Sequence, residues 1–194
     1  MHVDPRWPKV AEVVRAELAR IDALVAEPAL RGELLALEQE DQAARAAVIA
    51  NENHDNLARM TASDTATTAR LKAVIAKYGW PGFRLVGKDG AKAAWLFVQH
   101  SNDLAFQKTC LALMQTAVAA HDASAIDAAY LYDRVAMYEQ RPQRYGTQFR
   151  DGALYQVEDE ANLDNRRAEL GMSSMAEYRA QMTEIYGSGA VHGK

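Results

Sequence analysis

The stretch PALRGELLALEQEDQAARAAVIA, residues 28–50, carries the helical spacing that governs most of this 194-residue sequence. Pro28 suits the first turn of a helix, where the N–H that proline lacks is not needed. Apolar residues then recur at intervals that place them on one helical face: Leu30, Leu34, Leu37, Ala44 and Val48. Asp41 falls on the same face, where a carboxylate costs several kcal/mol unless it is paired or hydrogen-bonded. The stretch therefore predicts a helix with one polar position on its buried side.

A second helix repeats this interruption at Asp133, whose face is otherwise apolar. The apolar residues of that face are Ile126, Tyr130 and Met137. Arg45 lies four residues after Asp41, which is the offset of an ion pair on one helical face. Arg134 follows Asp133 directly and points about 100° away on a helix, so the two need different partners. Both aspartates are consistent with a functional site and also with structural ion pairs that tie helices together.

Capping residues and turn residues divide the rest of the chain into further helices. The expected N-caps are Asp64, Asp103 and Ser124, and the expected C-terminal stops are Gly79 and Pro142. The turn-rich segment GWPGFRLVGKDG, residues 79–90, indicates a boundary between two layers of the fold. Residues 91–100 are apolar nearly all round, which predicts a short buried helix.

The last third of the chain predicts one hairpin and two short helices. The pair Asp151-Gly152 is flanked by strand-forming residues and is typical of a hairpin turn. We therefore predict a mainly α fold, a single helical bundle-like domain with a small β-hairpin near residues 147–157. Residues 1–28 form an N-terminal helical extension in this prediction, residues 29–187 form the single mainly helical domain, and residues 188–194 form a disordered tail.

Composition and charge narrow the class of partner. The chain has 22 basic and 26 acidic residues, and its net charge of −4 argues against nucleic acid, which requires a concentrated positive surface. The single cysteine, Cys110, excludes an internal disulfide framework and fits a cytoplasmic protein. No apolar run approaches the length of a membrane span, so we expect no membrane association. The expected partner is a small polar molecule or a protein. The apolar stripe of the N-terminal helix is consistent with pairing in a homodimer and also with packing on its own domain.

The link QHSND, residues 99–103, supplies polar groups at the end of the predicted buried helix. Histidine is well suited to proton transfer at neutral pH, so His100 is a candidate base, proton donor or ligand. A lone histidine at a helix end is also often a cap or a satisfied core residue. Asp103 is equally well placed to cap the next helix. The segment therefore supports a functional and a structural interpretation.

The loop RPQRYGTQF, residues 141–149, gathers an unusual number of hydrogen-bonding groups. Pro142 stops the preceding helix, and Gly146 permits a sharp turn. The polar side chains held on this loop include Gln143, Tyr145, Thr147 and Gln148. Amides and hydroxyls both donate and accept, so such a loop can satisfy buried carboxylates or recognise a polar ligand.

Six short motifs occur in a fixed order along the chain: EDQAAR (40–45), GWP (79–81), LVG (85–87), WLFVQHSND (95–103), AAYLYDRV (128–135) and QRYGTQF (143–149). This order resembles a bacterial family of domains of unknown function with D-Q-x-x-R, G-W-P, Q-H-x-x-D, D-R and Q-x-Y-G-T-Q motifs. The resemblance covers roughly residues 30–180 and implies no established activity. It implies that the family pattern includes Asp41, Gln42, Arg45, Gln99, His100, Asp103, Asp133, Arg134, Gln143, Tyr145 and Gln148.

These residues suggest an acid–base enzyme that acts on a small polar substrate. The candidate catalytic residues are His100, Asp133 and Asp103. The candidate substrate-binding residues are Asp41, Gln42, Arg45, Gln99, Arg134, Gln143, Tyr145, Thr147 and Gln148. No serine or cysteine nucleophile motif is present.

Two alternatives stay open beside this interpretation. A metal-dependent version would use His100, Asp103, Asp41 and Asp133 as ligands for Mn, Fe or Zn, but the sequence has no standard metal-site spacing and no residue is assigned as a metal ligand. The other alternative is a non-catalytic module that binds a ligand or a protein, in which the polar cluster is a structural network.

Overall fold

The chain divides into two compact units, residues 1–97 and 98–194. A computed structural model describes residues 9, 10, 12, 13, 17, 20, 24–150 and 153–186. The described residues are mainly helical and include one small antiparallel hairpin, so the predicted fold class is confirmed.

Two long helices form the frame of the first unit. Helix α1 spans Pro28–Ala50 and helix α2 spans His54–Tyr78. Ion pairs join Glu33 to Arg70 and Arg45 to Asp64, an order that shows that the helices run antiparallel. Their buried apolar residues are Leu30, Leu34, Ala44, Leu71 and Val74. The stripe predicted for residues 28–50 is thus the buried face of α1.

The predicted start of α2, with Asp64 as its N-cap, is wrong. The N-cap is Asn53, whose side chain accepts a hydrogen bond from the N–H of Asn56 at 2.9 Å. The first half of α2 is mostly exposed and therefore needs no apolar stripe. Hydrophobic periodicity does not predict this part of the helix for that reason. The predicted end is confirmed, since Gly79 is the C-cap with a left-handed φ of 74°.

Helix α3 spans Phe83–His100 and is kinked at Gly87, where φ is 74° and ψ is 172°. The helix therefore begins inside the segment predicted as a turn-rich boundary. At Gly90, a Cβ would lie 2.9 Å from Val86 Cβ, which makes glycine necessary there. The Arg31 side chain lies 3.4 Å from the Cβ positions of Gly87 and Gly90. Because these two residues have no side chain, Arg31 can reach Asp89.

The second unit begins with two capped helices that pack against each other, α4 over Leu104–Ala119 and α5 over Ala125–Tyr138. Asp103 accepts a hydrogen bond from the N–H of Phe106 at 3.0 Å, and Ser124 accepts one from the N–H of Asp127 at 3.1 Å. Both predicted N-caps are therefore confirmed.

Helix α5 ends at Tyr138, ahead of the predicted stop at Pro142. Gln140 adopts a left-handed φ of 59°. The N–H of Arg141 donates to the carbonyl of Ala136 at 2.8 Å, which is the hydrogen bond of a Schellman motif. The backbone has thus already turned out of the helix when it reaches the proline.

The hairpin consists of β1, Phe149–Arg150, and β2, Ala153–Leu154, with Phe149 opposite Leu154. The predicted hairpin is confirmed, and its predicted turn at Asp151-Gly152 lies outside the described residues. A 3-10 turn at Glu160–Asn162 leads into α6, Leu163–Glu169, and α7 spans Met175–Tyr186. A small core cluster in this region contains Leu163, Met175 and Tyr178.

Most of the predicted N-terminal extension and the predicted tail, residues 188–194, lie outside the described residues. Among the residues that the structure describes, no helix is both long enough and apolar enough to span a membrane.

The ion pair between Arg31 and Asp89 gives a prediction about pH. The hydrogen bond from the Arg31 guanidinium holds the pKa of Asp89 below its ordinary value of 3.8. Since this favours the ionised form in the folded state, the stabilisation is complete above about pH 4 and is lost as the pH falls through the lower folded-state pKa. Asp89→Asn should cost on the order of 1 kcal/mol at neutral pH, a modest loss because Asp89 is 45% exposed.

Urea unfolding at neutral pH and near pH 2 measures this difference. The matched control is Glu33→Gln, which removes a pair with Arg70 whose side chains are 41% and 39% exposed, and it should cost less than about 0.5 kcal/mol. An equal loss for Asp89→Asn at both pH values would contradict the prediction.

Candidate functional site

Asp41 lies on the buried face of α1 and has no exposed surface. Its Oδ2 accepts a hydrogen bond from the side-chain amide of Gln42 at 2.9 Å and one from Arg45 Nε at 3.3 Å. The predicted ion pair with Arg45 is therefore confirmed. The pairing offsets part of the cost of burying a carboxylate among apolar residues.

Arg45 also reaches across to α2, where its Nη2 donates to Oδ1 of Asp64. One guanidinium thus bridges two carboxylates from different helices. The sequence interpretation missed Asp64 as a member of this group because it assigned the residue to a helix cap. The sequence offered only the acidic side chain of Asp64 as a signal, because its partner Arg45 lies 19 residues earlier in the chain.

Asp41, Asp64 and His100 each offer one ligand atom, and these three atoms lie within 4.8 Å of one another. His100 is the last residue of α3, the helix whose residues 83–97 belong to the first unit. Asp41 is fully buried, and the other two side chains are half-buried. Among the described residues, this is the group of three histidine, cysteine or acidic side chains that has the geometry to hold a metal ion.

Several charged side chains lie close to Asp41. Two carboxylates, of Asp41 and Asp64, share the single guanidinium of Arg45. Glu38 lies about one turn before Asp41, and its pKa is raised by burial and then by repulsion from Asp89 and Asp41, against the attraction of Lys92. Burial is thus the main cause of the raised Glu38 pKa, and repulsion from the nearby carboxylates adds to it.

Asp133, in the second unit, is also fully buried, and the loop after α5 wraps around it. Its Oδ1 accepts from the N–H of Arg144 at 2.7 Å and of Tyr145 at 3.1 Å. Its Oδ2 accepts from the N–H of Thr147 and from the Thr147 hydroxyl, both at 3.0 Å. We call this arrangement the Asp133 cradle. It occupies the lone-pair directions of the carboxylate, which leaves the oxygens little capacity to act on another molecule.

Burial raises the pKa of Asp133, and the loop N–H groups and the Thr147 hydroxyl oppose that shift. The carboxyl proton of Asp133 is therefore bound more tightly in the folded chain than in the unfolded chain. Ionisation of Asp133 accordingly costs stability as the pH rises above the ordinary carboxyl value, and the cradle reduces that cost.

Gln143 and Gln148 complete the cradle from within the same loop. The Gln143 side chain is fully buried, donates to the carbonyls of Gln148 at 2.9 Å and Tyr155 at 2.8 Å, and accepts from the N–H of Gln148 at 2.8 Å. Gln148 Nε2 donates to the Thr147 hydroxyl at 3.0 Å. The loop is thus tied both to Asp133 and to the segment that follows β2.

Two arginines of α6 support the cradle, and sequence reasoning missed both. Arg166 Nε donates to the carbonyl of Arg144 at 3.0 Å, and Arg167 Nη1 donates to the carbonyl of Tyr145 at 2.7 Å. Arg167 is 1% exposed and lies over the Tyr178 ring at 4.8 Å. Burial lowers the pKa of Arg167, and the nearby tyrosines oppose that shift. A tandem arginine pair on a short helix was the only cue in the sequence.

The remaining predicted site residues have separate environments. Asp103 caps α4. The side-chain nitrogen of Gln99 and Nε of Arg134 are buried and make no hydrogen bond to any residue that the structure describes.

Removing the Asp133 carboxylate should destabilise the protein. Asp133→Ala would leave three loop N–H groups and the Thr147 hydroxyl without their acceptor, which should cost about 3 kcal/mol and lower the Tm by several degrees. Thermal unfolding followed by circular dichroism measures the change. Glu169→Ala, an exposed acidic position on α6, should leave the Tm within about one degree. An unchanged Tm in Asp133→Ala would show that the cradle contributes nothing to stability.

Comparison with known proteins identifies a family, and the function of that family is unknown. A model of a family of unknown function, DUF6624, matches residues 28–190, a range that includes helices α1 to α7 and every candidate site residue. The chain has no significant match among curated proteins or among solved structures. Since the matched range is most of the sequence, the chain belongs to the DUF6624 family.

Proposed function

We propose that this protein is a metal-dependent enzyme that acts on a small polar substrate, with Asp41, Asp64 and His100 as the ligands of one divalent ion. The observation that carries the proposal is the approach of three ligand atoms to within 4.8 Å of one another. Atoms about 2.1 Å from a common ion lie at most about 4.2 Å apart, so a small shift of the side chains completes the site.

The chemistry of the donor set selects a first-row transition metal. Two carboxylate oxygens and one imidazole nitrogen form a mixed donor set that suits Mn²⁺, Fe²⁺ or Zn²⁺. Three protein ligands leave coordination positions for water and substrate, as in catalytic metal sites. A divalent ion would be attracted by the carboxylates of Asp41 and Asp64, which share the Arg45 guanidinium.

Such a site would activate water. A divalent ion held by Asp41, Asp64 and His100 would supply an acidified water as a nucleophile or base near neutral pH. Arg45 keeps Asp41 and Asp64 together and stands beside the same carboxylates, where a guanidinium can also bind an anionic group of a substrate. The small polar substrate inferred from the sequence fits this chemistry.

A structural role is the better interpretation for Asp133. Its two oxygens already accept four hydrogen bonds from the loop that follows α5. The catalytic role that the sequence predicted for Asp133 is therefore not included in the proposal. The two buried aspartates thus receive different roles, a ligand role for Asp41 and a loop-ordering role for Asp133.

Metal titration tests the proposal directly. Isothermal titration of metal-free protein with Mn²⁺ or Zn²⁺ should show one site, and Asp64→Asn and His100→Ala should each weaken it at least tenfold. His54→Ala is the matched control, since its side chain is 96% exposed, and it should bind as the wild type does. Absence of binding to the wild type at about 1 mM metal would contradict the proposal. The role of His100 in metal-free acid–base chemistry would then be the one to test.

Arg45→Gln gives a second test that uses stability alone. The substitution removes the Arg45 charge that lies beside buried Asp41 and should cost about 3 kcal/mol in metal-free buffer. Added Mn²⁺ or Zn²⁺ should raise the Tm of this variant more than that of the wild type, because the ion takes over the compensating charge. Arg70→Gln, which breaks an exposed pair with Glu33, should show no such gain. An equal metal effect in the variant and the wild type would count against shared carboxylates.

A further inference from the structure

The second unit contains a cleft of about 170 Å³ between α4, α5 and the loop of the Asp133 cradle. Three alanines of α5, Ala125, Ala128 and Ala129, line one side of it. They follow the i, i+3, i+4 spacing of one helical face, and their short side chains leave the space open. The cleft is therefore open because α5 carries alanine at these three positions.

Two tyrosine rings form another side of the cleft. Tyr132 comes from α5 and Tyr145 comes from the loop, with ring centroids 6.2 Å apart and planes at 80°. Both side chains are only partly buried. An edge-to-face pair presents a π face and a ring edge to the same space, which is the arrangement that a third aromatic ring complements.

The Asp133 cradle fixes the position of Tyr145. The N–H of Tyr145 donates to Asp133, and its carbonyl accepts from Arg167 at 2.7 Å. The next residue, Gly146, has a φ of 68°, and a Cβ there would lie 2.8 Å from Met175 Sδ. Both sides of the Tyr145 backbone are therefore held, so its ring would lose little freedom when a ligand binds.

We propose that this cleft binds a small monocyclic aromatic molecule with a hydrogen-bonding substituent, of the phenol class. The volume supports one ring, because a cavity of about 150 Å³ accommodates benzene. The lining is apolar and aromatic, and the exposed Gln115 amide at the cleft supplies a donor and an acceptor for the substituent. This site is independent of the metal proposal, since none of its residues is one of the three ligands.

The test compares phenol with cyclohexanol, which has the same size and hydroxyl group but no π face. Amide chemical shifts of the wild type, recorded by NMR during each titration, should change for residues of α5 and for 144–148 with phenol. Cyclohexanol should bind at least tenfold more weakly. Equal binding of the two alcohols, changes confined to other parts of the chain, or no change at about 50 mM phenol would each overturn the proposal.

Two variants assign the binding to the cleft. Tyr145→Leu retains an apolar side chain and the backbone hydrogen bonds, and it should weaken phenol binding at least tenfold. Ala125→Leu, at the first residue of α5, should fill the space and abolish binding with the circular dichroism spectrum unchanged. Tyr138→Leu is the control, since Tyr138 is on the same helix, is 43% exposed and does not line the cleft. Wild-type affinity in Tyr145→Leu would overturn the assignment.

Discussion

A carboxylate removed from water must find hydrogen-bond donors, and this constraint shapes both units of the protein. Asp41 and Asp133 each lie on an apolar helical face and are fully buried. An unpaired charge in such a place costs more than a small protein has in total stability. The residues around each aspartate are therefore arranged to offset that cost, and they do so in two physically different ways.

Asp41 is compensated by charge, and Asp133 is compensated mainly by the backbone. A guanidinium offers a full positive charge, and Arg45 shares it between Asp41 and Asp64. Main-chain N–H groups carry partial charges in fixed directions, and those of Arg144, Tyr145 and Thr147 all donate to the one carboxylate of Asp133. The first arrangement joins two helices through one guanidinium, while the second uses the carboxylate to order its own loop.

The sequence was sufficient for the presence of most helices and for the two buried aspartates, because periodicity and capping are local properties, but it placed the starts of α2 and α3 too late. Asp103, Ser124 and Gly79 could be assigned to helix ends for the same reason. Asp64 could not be placed, since its partner Arg45 is on another helix and no spacing along the chain encodes that pairing. Arg166 and Arg167 were missed because their acceptors are main-chain carbonyls, which every sequence contains.

The loop at residues 143–148 has no regular secondary structure, yet its amide protons are almost all engaged. The N–H groups of Arg144, Tyr145 and Thr147 bond to Asp133, and that of Gln148 bonds to the buried Gln143 side chain. Amide hydrogen exchange depends on how often such bonds open to solvent. These amides should therefore exchange on the timescale of the helices, and by that criterion the loop belongs to the cooperative folding unit that contains α5.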